Sequence, residues 1–329
     1  MKTIVFSAKP FEIEYFTKLN AKTKDLTFST TKLDIHTASE AAGYEIVAVF
    51  TNDDLGKEVI EKLHALGVKH LITRSAGHDH VHTPTAEALG MKIGFVPEYS
   101  PFAIAEHTIA LILALNRKIV QADKKVKNYD FTLDNLIGFD LNGKTVGLIG
   151  TGKIGGIVGN ILKGFGCKII GFDVNHNPEL EQNIGLKYVS LEEIWKNADI
   201  ISFHCPMNEH TKYLLNDNVV PQLKDGVFII NTARGGIIET KALLNGIKSG
   251  KIGAAGLDVY EKEKGLFFYD HVNDIPQDEV FAALLAYKNV IITGHQAFLT
   301  KEAITNIIEA TLMHIDDFEN DIAGKWKLC

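Results

Sequence analysis

Three polar residues sit where short apolar runs end, and their types suit one kind of reaction. Arg234 follows Val227-Phe228-Ile229-Ile230 in the stretch Asn231-Thr232-Ala233-Arg234-Gly235-Gly236, and His295 follows Val290-Ile291-Ile292-Thr293. Glu263 comes soon after Ala254-Ala255-Gly256-Leu257, in Asp258-Val259-Tyr260-Glu261-Lys262-Glu263. A guanidinium is a permanently charged planar fork that grips a carboxylate with two hydrogen bonds. Histidine is the side chain best suited to giving and taking a proton near neutral pH, and a carboxylate beside it favours the charged imidazolium. Together they suit the reduction of a carbonyl group in an anionic substrate, which needs a proton delivered to the oxygen as hydride reaches the carbon.

Hydride has to come from a carrier, and the middle of the chain offers a place for one. Gly150-Thr151-Gly152-Lys153-Ile154-Gly155 lies between the β-forming run 144–149 and a stretch with Ile157, Val158, Ile161 and Leu162 at helical spacing. In such a strand, turn and helix the first glycine permits the tight turn, the second lets backbone N–H groups approach a pyrophosphate, and the third allows close helix–strand packing. The phosphates then rest at the positive end of the helix. A second strand, Cys167-Lys168-Ile169-Ile170-Gly171-Phe172, ends at Asp173, about 20 residues beyond the turn, where a carboxylate would meet the ribose hydroxyls. Because that charge repels a 2′-phosphate, Asp173 points to NAD rather than NADP.

The elements that must position these residues are legible as alternating strands and helices. Runs 144–149, 167–172, 200–203, 227–230, 254–257 and 290–293 predict six parallel strands, the full doubly wound dinucleotide fold, with ligand groups at the carboxyl ends. Before them, strands at 3–6, 45–50, 70–73 and 91–96 alternate with helices from Phe11 and over 58–66, which predicts a small parallel-sheet domain of its own. A helix from Pro101 to about residue 117 carries Phe102, Ala105, Ile109, Ile112 and Leu113 on one broad apolar side. A last helix over 302–318 has no strand left to pair and is expected to fold back on the N-terminal domain. The expected class is therefore α/β, two doubly wound parallel-sheet domains, with a Rossmann domain (101–296) inserted into a discontinuous substrate domain (1–100 and 297–329).

Composition excludes several other classes. The 329 residues are 46% hydrophobic and 23% charged, ordinary for a globular protein, and the net charge of −7 disfavours a nucleic-acid surface. The one basic cluster, Lys124-Lys125-Val126-Lys127, is expected to be a solvated helix face. The apolar run at the N-terminus is cut short by Lys9, Pro10, Glu12 and Glu14, a poor signal peptide, and residues 109–115 are too few to span a bilayer. Cys167, Cys205 and Cys329 have neither disulfide-framework nor metal spacing and are expected to be reduced thiols in a cytoplasmic protein. His78, His80 and His82 alternate, yet no cysteine or acid cluster beyond Asp79 supports them, so no metal is expected.

The succession Gly-Thr-Gly-Lys-Ile-Gly, His204-Cys205-Pro206, Asn-Thr-Ala-Arg-Gly-Gly, Gly256-Leu257-Asp258-Val259-Tyr260 and Gly294-His295-Gln296-Ala297-Phe298 resembles the D-isomer-specific 2-hydroxyacid dehydrogenases, most closely their NAD-dependent fermentative D-lactate branch. The likeness runs over nearly the whole chain, from Asn52-Asp53-Asp54 to Thr300. It implies a flavodoxin-like substrate domain and matches Arg234, Glu263 (rather than Glu261) and His295 to the family's catalytic arginine, glutamate and histidine. It implies substrate contacts at Ala76 and Gly77 in the loop Arg74-Ser75-Ala76-Gly77, at Tyr99 and at Phe298. For NAD it implies Gly150, Gly152, Lys153, Ile154, Gly155, Asp173, Cys205, Pro206, Thr232, Ala233 and Asp258. The implied reaction is reversible NADH-dependent reduction of pyruvate to D-lactate, in a homodimer or homotetramer, with a small 2-oxo or 2-hydroxy acid as the only partner and neither nucleic acid nor membrane.

The chain departs from the family's pattern after Gly77, where His78-Asp79-His80-Val81-His82 replaces the usual run, and at Pro206-Met207-Asn208, where Pro-Leu-Thr is common. Aromatic Tyr99 and Phe298 favour a small substrate. The alternative within enzymes is a larger 2-oxo acid of the hydroxyisocaproate or phenylpyruvate type. Outside them it is an NAD(H)-sensing co-regulator, which has no need of the full Arg, Glu and His set.

Overall fold

A computed structural model describes residues 1–20, 23–322 and 327–328. The chain folds as two compact units, Met1–Ser100 with Leu299–Cys329, and Pro101–Phe298. Cys329 itself lies outside the described residues.

The first unit is built on five parallel strands, β1 (Thr3–Val5), β2 (Leu26–Phe28), β3 (Ile46–Val49), β4 (His70–Thr73) and β5 (Lys92–Phe95). Their order, β2-β1-β3-β4-β5, is the flavodoxin-like one. Side chains alternate across a strand, so the apolar runs feed two cores. Ile4, Val47, Val49, Leu71 and Ile93 meet Ile60 and Leu63 of the helix Lys57–Ala65. Val5, Ile46, Ala48 and Ile72 meet Phe16 of the helix Pro10–Asn20 and Ile304, Ile308, Ile315 and Phe318 of the helix Lys301–Glu319. The last helix thus completes this unit's core. Beyond it the tail does pair once, through an antiparallel bridge between Lys327 and Gly94. β2 was not expected, because three residues at a half-exposed edge carry no apolar run.

Arg74, directly after β4, is fully buried. Its Nε and Nη2 donate to Glu12 Oε1 and Oε2 at 3.1 and 3.3 Å, and Nη1 donates to the carbonyls of Phe6 and Ala48. A buried cation is tolerable only with such partners. These bonds pin the strand end from which Ser75, Ala76 and Gly77 emerge.

The second unit carries seven parallel strands: β6 (Thr145–Ile149), β7 (Lys168–Phe172), β8 (Lys187–Tyr188), β9 (Ile200–Phe203), β10 (Val227–Asn231), β11 (Ile252–Leu257) and β12 (Val290–Ile292). They run β12-β11-β10-β9-β6-β7-β8, so the order reverses between β6 and β9, the switch point at which ligands bind in open α/β sheets. Six strands were expected; the seventh is β8, two residues long and too short for any hydrophobic period to show. The helix Pro101–Asn116 buries Ala105, Ile109, Ile112 and Leu115 in a core shared with Val146, Leu148 and Ile230. Its expected apolar side is shorter than the spacing suggests, for Phe102 is 59% exposed. Among the described residues no helix is long and apolar enough to cross a membrane.

Candidate active site

The chemistry-bearing residues of the second unit sit in the loops that leave β10, β11 and β12. His295 comes three residues after β12, at a φ of 53°, a left-handed conformation that costs a histidine energy unless its surroundings hold it. They do. Its N–H donates to the carbonyls of Asp258 (2.7 Å) and Thr293 (3.0 Å). The buried Asp258 carboxylate gathers the rest of the turn: Oδ1 accepts from Thr293 Oγ1 (2.5 Å) and Gln296 N (2.9 Å), and Oδ2 accepts from Ala297 N (2.8 Å). Asp258 follows β11, so one side chain ties the end of β11 to the turn after β12.

Glu263 completes the arrangement. Its Oε1 lies 2.9 Å from His295 Nδ1, while Oε2 accepts from Tyr260 N at 3.0 Å. A carboxylate at Nδ1 fixes the tautomer with hydrogen on that nitrogen and leaves Nε2 as the position that gains and loses a proton. Glu261, two residues earlier, is committed elsewhere, accepting from Tyr213 OH (2.6 Å) and Thr240 N (3.1 Å). Arg234 is half-buried at the end of the β10 loop, where Nη1 donates to the Ala233 carbonyl (2.8 Å) and Asn231 Nδ2 donates to the carbonyl of Arg234 itself (2.9 Å). The next residue must be glycine: a Cβ on Gly235 would lie 2.1 Å from the Tyr260 carbonyl. That contact brings the Arg234 loop against the loop that carries Glu263.

The glycine turn after β6 fits a dinucleotide. Gly150 has a φ of 93°, and a Cβ there would stand 2.5 Å from Cys205 N, while one on Gly155 would meet the Gly150 carbonyl at 2.1 Å. Around Gly152, by contrast, nothing lies within 4 Å of a Cβ position, and no side chain caps the helix Lys153–Gly164 that starts there. A helix start without a capping side chain is the kind of place where a pyrophosphate would bind. Asp173 ends β7 beside the turn, its Oδ2 accepting from Thr151 N (2.6 Å) and its Oδ1 from Asn175 N (3.0 Å). Burial works to raise its pKa, but the donors from Asn175 and Thr151 outweigh that and hold the carboxyl below the ordinary aspartate range. An anion is thus maintained where a ribose would lie, which suits NAD. Cys205 is buried, and its thiol is pushed up to about 11, so it lines the cradle as a neutral group.

Of the remaining expected residues, Thr232 is buried with its Oγ1 2.9 Å from Thr108 Oγ1, Ala233 and Ile154 are half-buried, and Lys153 and Pro206 are exposed. Phe298 is half-buried in the same unit, whereas Ala76, Gly77 and Tyr99 belong to the first, where Ser75 Oγ donates to the Gly77 carbonyl (2.7 Å) and Asn306 Nδ2 to that of Tyr99. His78 Nδ1 and His82 Nδ1 turn to different partners, the Ala76 carbonyl and Thr85 Oγ1.

Sequence reasoning missed three residues. His107 Nε2 lies 3.0 Å from Thr293 Oγ1 and 3.5 Å from Asp258 Oδ1, and its signal was a polar pair, Glu106-His107, interrupting an apolar helix. Tyr188 OH lies 2.9 Å from Thr151 Oγ1 and accepts from Asn177 N, bracing the glycine turn from β8. Phe268 has its ring 5.7 Å from the imidazole of His295.

A glycine turn shaped for a dinucleotide, in one unit with a buried-carboxylate turn and a histidine–carboxylate pair, is the layout of an oxidoreductase. The model of the D-isomer specific 2-hydroxyacid dehydrogenase NAD binding domain matches residues 109–297. A 2-hydroxyacid dehydrogenase homolog of Haemophilus influenzae is 45% identical, with 96% of this chain and 95% of the relative covered. The D-lactate dehydrogenase of Escherichia coli is 42% identical, with 97% of each covered. Among solved structures, the pyruvate reductase of Chlamydomonas reinhardtii superposes with a TM-score of 0.92 at 40% identity, covering 98% of this chain and 97% of that one. The chain therefore belongs to the D-isomer-specific 2-hydroxyacid dehydrogenases, enzymes that use NAD.

The cradle makes a sharp demand. Gly155→Ala should weaken NADH binding at least about tenfold, because the added methyl must push the helix N-terminus off the turn. Titration of the cofactor's fluorescence measures it; an unchanged dissociation constant would show that the turn does not grip the pyrophosphate.

Proposed function

We propose that the chain reduces pyruvate to D-lactate with NADH, reversibly. The observation that carries the reading is the Glu263–His295 pair at 2.9 Å, set on a turn that Asp258 locks. Relatives that are a D-lactate dehydrogenase and a pyruvate reductase support the substrate. When bound, NADH would supply the hydride that the carbonyl carbon receives.

The chain's own residues do the rest. Because His295 keeps its Nδ1 hydrogen on Glu263, Nε2 bears a proton only in the imidazolium form. Giving that proton to the carbonyl oxygen leaves a neutral imidazole still bonded to Glu263, ready to be recharged. Arg234 grips the substrate carboxylate with its fork and stays charged throughout. Ala76 and Gly77, through their backbone N–H groups, and Tyr99 are the substrate residues proposed in the other unit, and Phe298 is the one proposed beside His295 in sequence. Gly150, Gly152, Lys153, Ile154 and Gly155 take the pyrophosphate and Asp173 the ribose, with Cys205, Pro206, Thr232, Ala233 and Asp258 along the remainder of the cofactor. On this reading Pro101–Phe298 is the cofactor unit and the other unit binds substrate.

The proposed assembly is a homodimer or homotetramer. The helix from Pro101 buries most of its apolar residues within its own unit, leaving Phe102 exposed. A better surface follows it, where Tyr129, Leu133 and Ile137 are 86%, 79% and 88% exposed and Ile119, Val120, Val126 and Phe131 stand out beside them in sequence. So many large apolar side chains within one short segment exceed what a monomer's surface ordinarily shows. A cytoplasmic location is supported by Cys167 and Cys205, both buried and unbridged.

Loss of NADH absorbance with a panel of 2-oxo acids tests the function. Pyruvate should have the highest kcat/KM, at least about tenfold above 2-oxoisocaproate and phenylpyruvate. A preference for either of those overturns the substrate, and tight NADH binding without turnover on any acid overturns the enzyme. Light scattering during gel filtration should give two or four subunits, reduced to one by Tyr129→Asp with Leu133→Asp; a monomeric wild type contradicts the assembly.

A further inference from the structure

The turn that begins at Glu263 holds a second group against His295. The carbonyl of Glu263 accepts from Leu266 N (2.9 Å) and Phe267 N (3.0 Å), which rolls the chain into a compact turn. Phe267 is buried, its ring 6.5 Å from that of Tyr260 and 6.1 Å from that of Phe281, which anchors the turn in a small aromatic cluster. Tyr260 is fixed in turn by its hydroxyl, which donates to Asp278 Oδ2 at 2.7 Å. The next residue, Phe268, leaves this anchor with a φ of 72°.

That conformation is the informative point. A bulky side chain in the left-handed region is an outlier, glycine adopts it without cost, and such strain persists where the structure gains something by it. What Phe268 provides is its ring, 5.7 Å from the His295 imidazole at an interplanar angle of 38°, within the range of a paired aromatic contact. His295 is itself left-handed, at a φ of 53°. Two strained residues from separate loops are therefore turned toward each other. Glu263 Oε1 meets the imidazole at Nδ1, and five residues later the same turn places a hydrocarbon face beside the ring.

We propose that Phe268 is a positioning residue for His295: its ring fixes the plane of the imidazole and keeps water from that side, so that Nε2 is held toward the substrate oxygen. A carboxylate at one nitrogen leaves the ring free to swing about that single bond. A second contact beside it removes the freedom, and small misplacements of a proton donor cost rate steeply. The proposal rests on His295 being the proton donor, as proposed above.

Phe268→Gly is the decisive variant because it deletes the ring and relieves the backbone strain at once. The melting temperature should hold or rise and NADH affinity should stay within about twofold, while kcat on pyruvate falls at least about tenfold with KM nearly unchanged. Phe268→Tyr should restore most of the rate. In the apo protein, the His295 ring-proton NMR resonances should move when the phenyl ring is removed and return in the tyrosine variant. Wild-type kcat in Phe268→Gly, unmoved resonances, or a fall in melting temperature and NADH affinity that accounts for the lost rate would each overturn the proposal. Failure of the wild type to reduce any 2-oxo acid would instead sink the reading of the enzyme, and the NMR comparison would still report on the contact.

Discussion

The carboxylate of Asp258 is the interaction on which the second unit's chemistry depends. It is almost wholly buried and satisfied by three donors, Thr293 Oγ1, Gln296 N and Ala297 N, while its own carbonyl receives the N–H of His295. A buried anion without such partners would be strongly disfavoured, so the turn after β12 and the end of β11 hold each other in place. The cost of a left-handed histidine is met by this network. His107 approaches it from the helix Pro101–Asn116, so a third element is joined to the same point.

Parallel topology explains why the groups meet at all. Every strand of the unit points the same way, and loops leaving adjacent strands emerge side by side. Close backbone approach then turns neighbourhood into contact. Without a side chain, Gly235 lets the Arg234 loop touch Tyr260, and the glycines at 150 and 155 let the helix Lys153–Gly164 begin against the β6 turn. Fixed charge follows from the same geometry. The donors around Asp173 keep it anionic, an acceptor suited to hydroxyl groups, beside a helix start whose dipole favours phosphate.

Most of this was legible in the sequence because the candidate site residues follow strands whose apolar runs are conspicuous. Val227 to Ile230 and Val290 to Ile292 announce themselves, and so Arg234 and His295 could be located by counting past them. The mid-chain glycine turn likewise required the flanks it has. The failures have physical causes of their own. β2 and β8 span three and two residues, and strands that short have no period to detect. The apolar spacing of the helix from Pro101 includes Phe102, but that side chain points outward while Ala103 and Ala105 beside it are buried. Phe268 was invisible because nothing in a sequence marks a phenylalanine forced to positive φ; only the backbone reveals it.

On the proposed mechanism His295, set by Asp258 and Glu263, delivers the proton as hydride is transferred. Its most direct test is a single turnover of enzyme-bound NADH with pyruvate in His295→Asn, followed by stopped-flow absorbance, beside an equilibrium titration of NADH. The hydride step should slow by roughly a thousandfold or more while the NADH dissociation constant stays within about twofold. A single-turnover rate close to that of the wild type would contradict it.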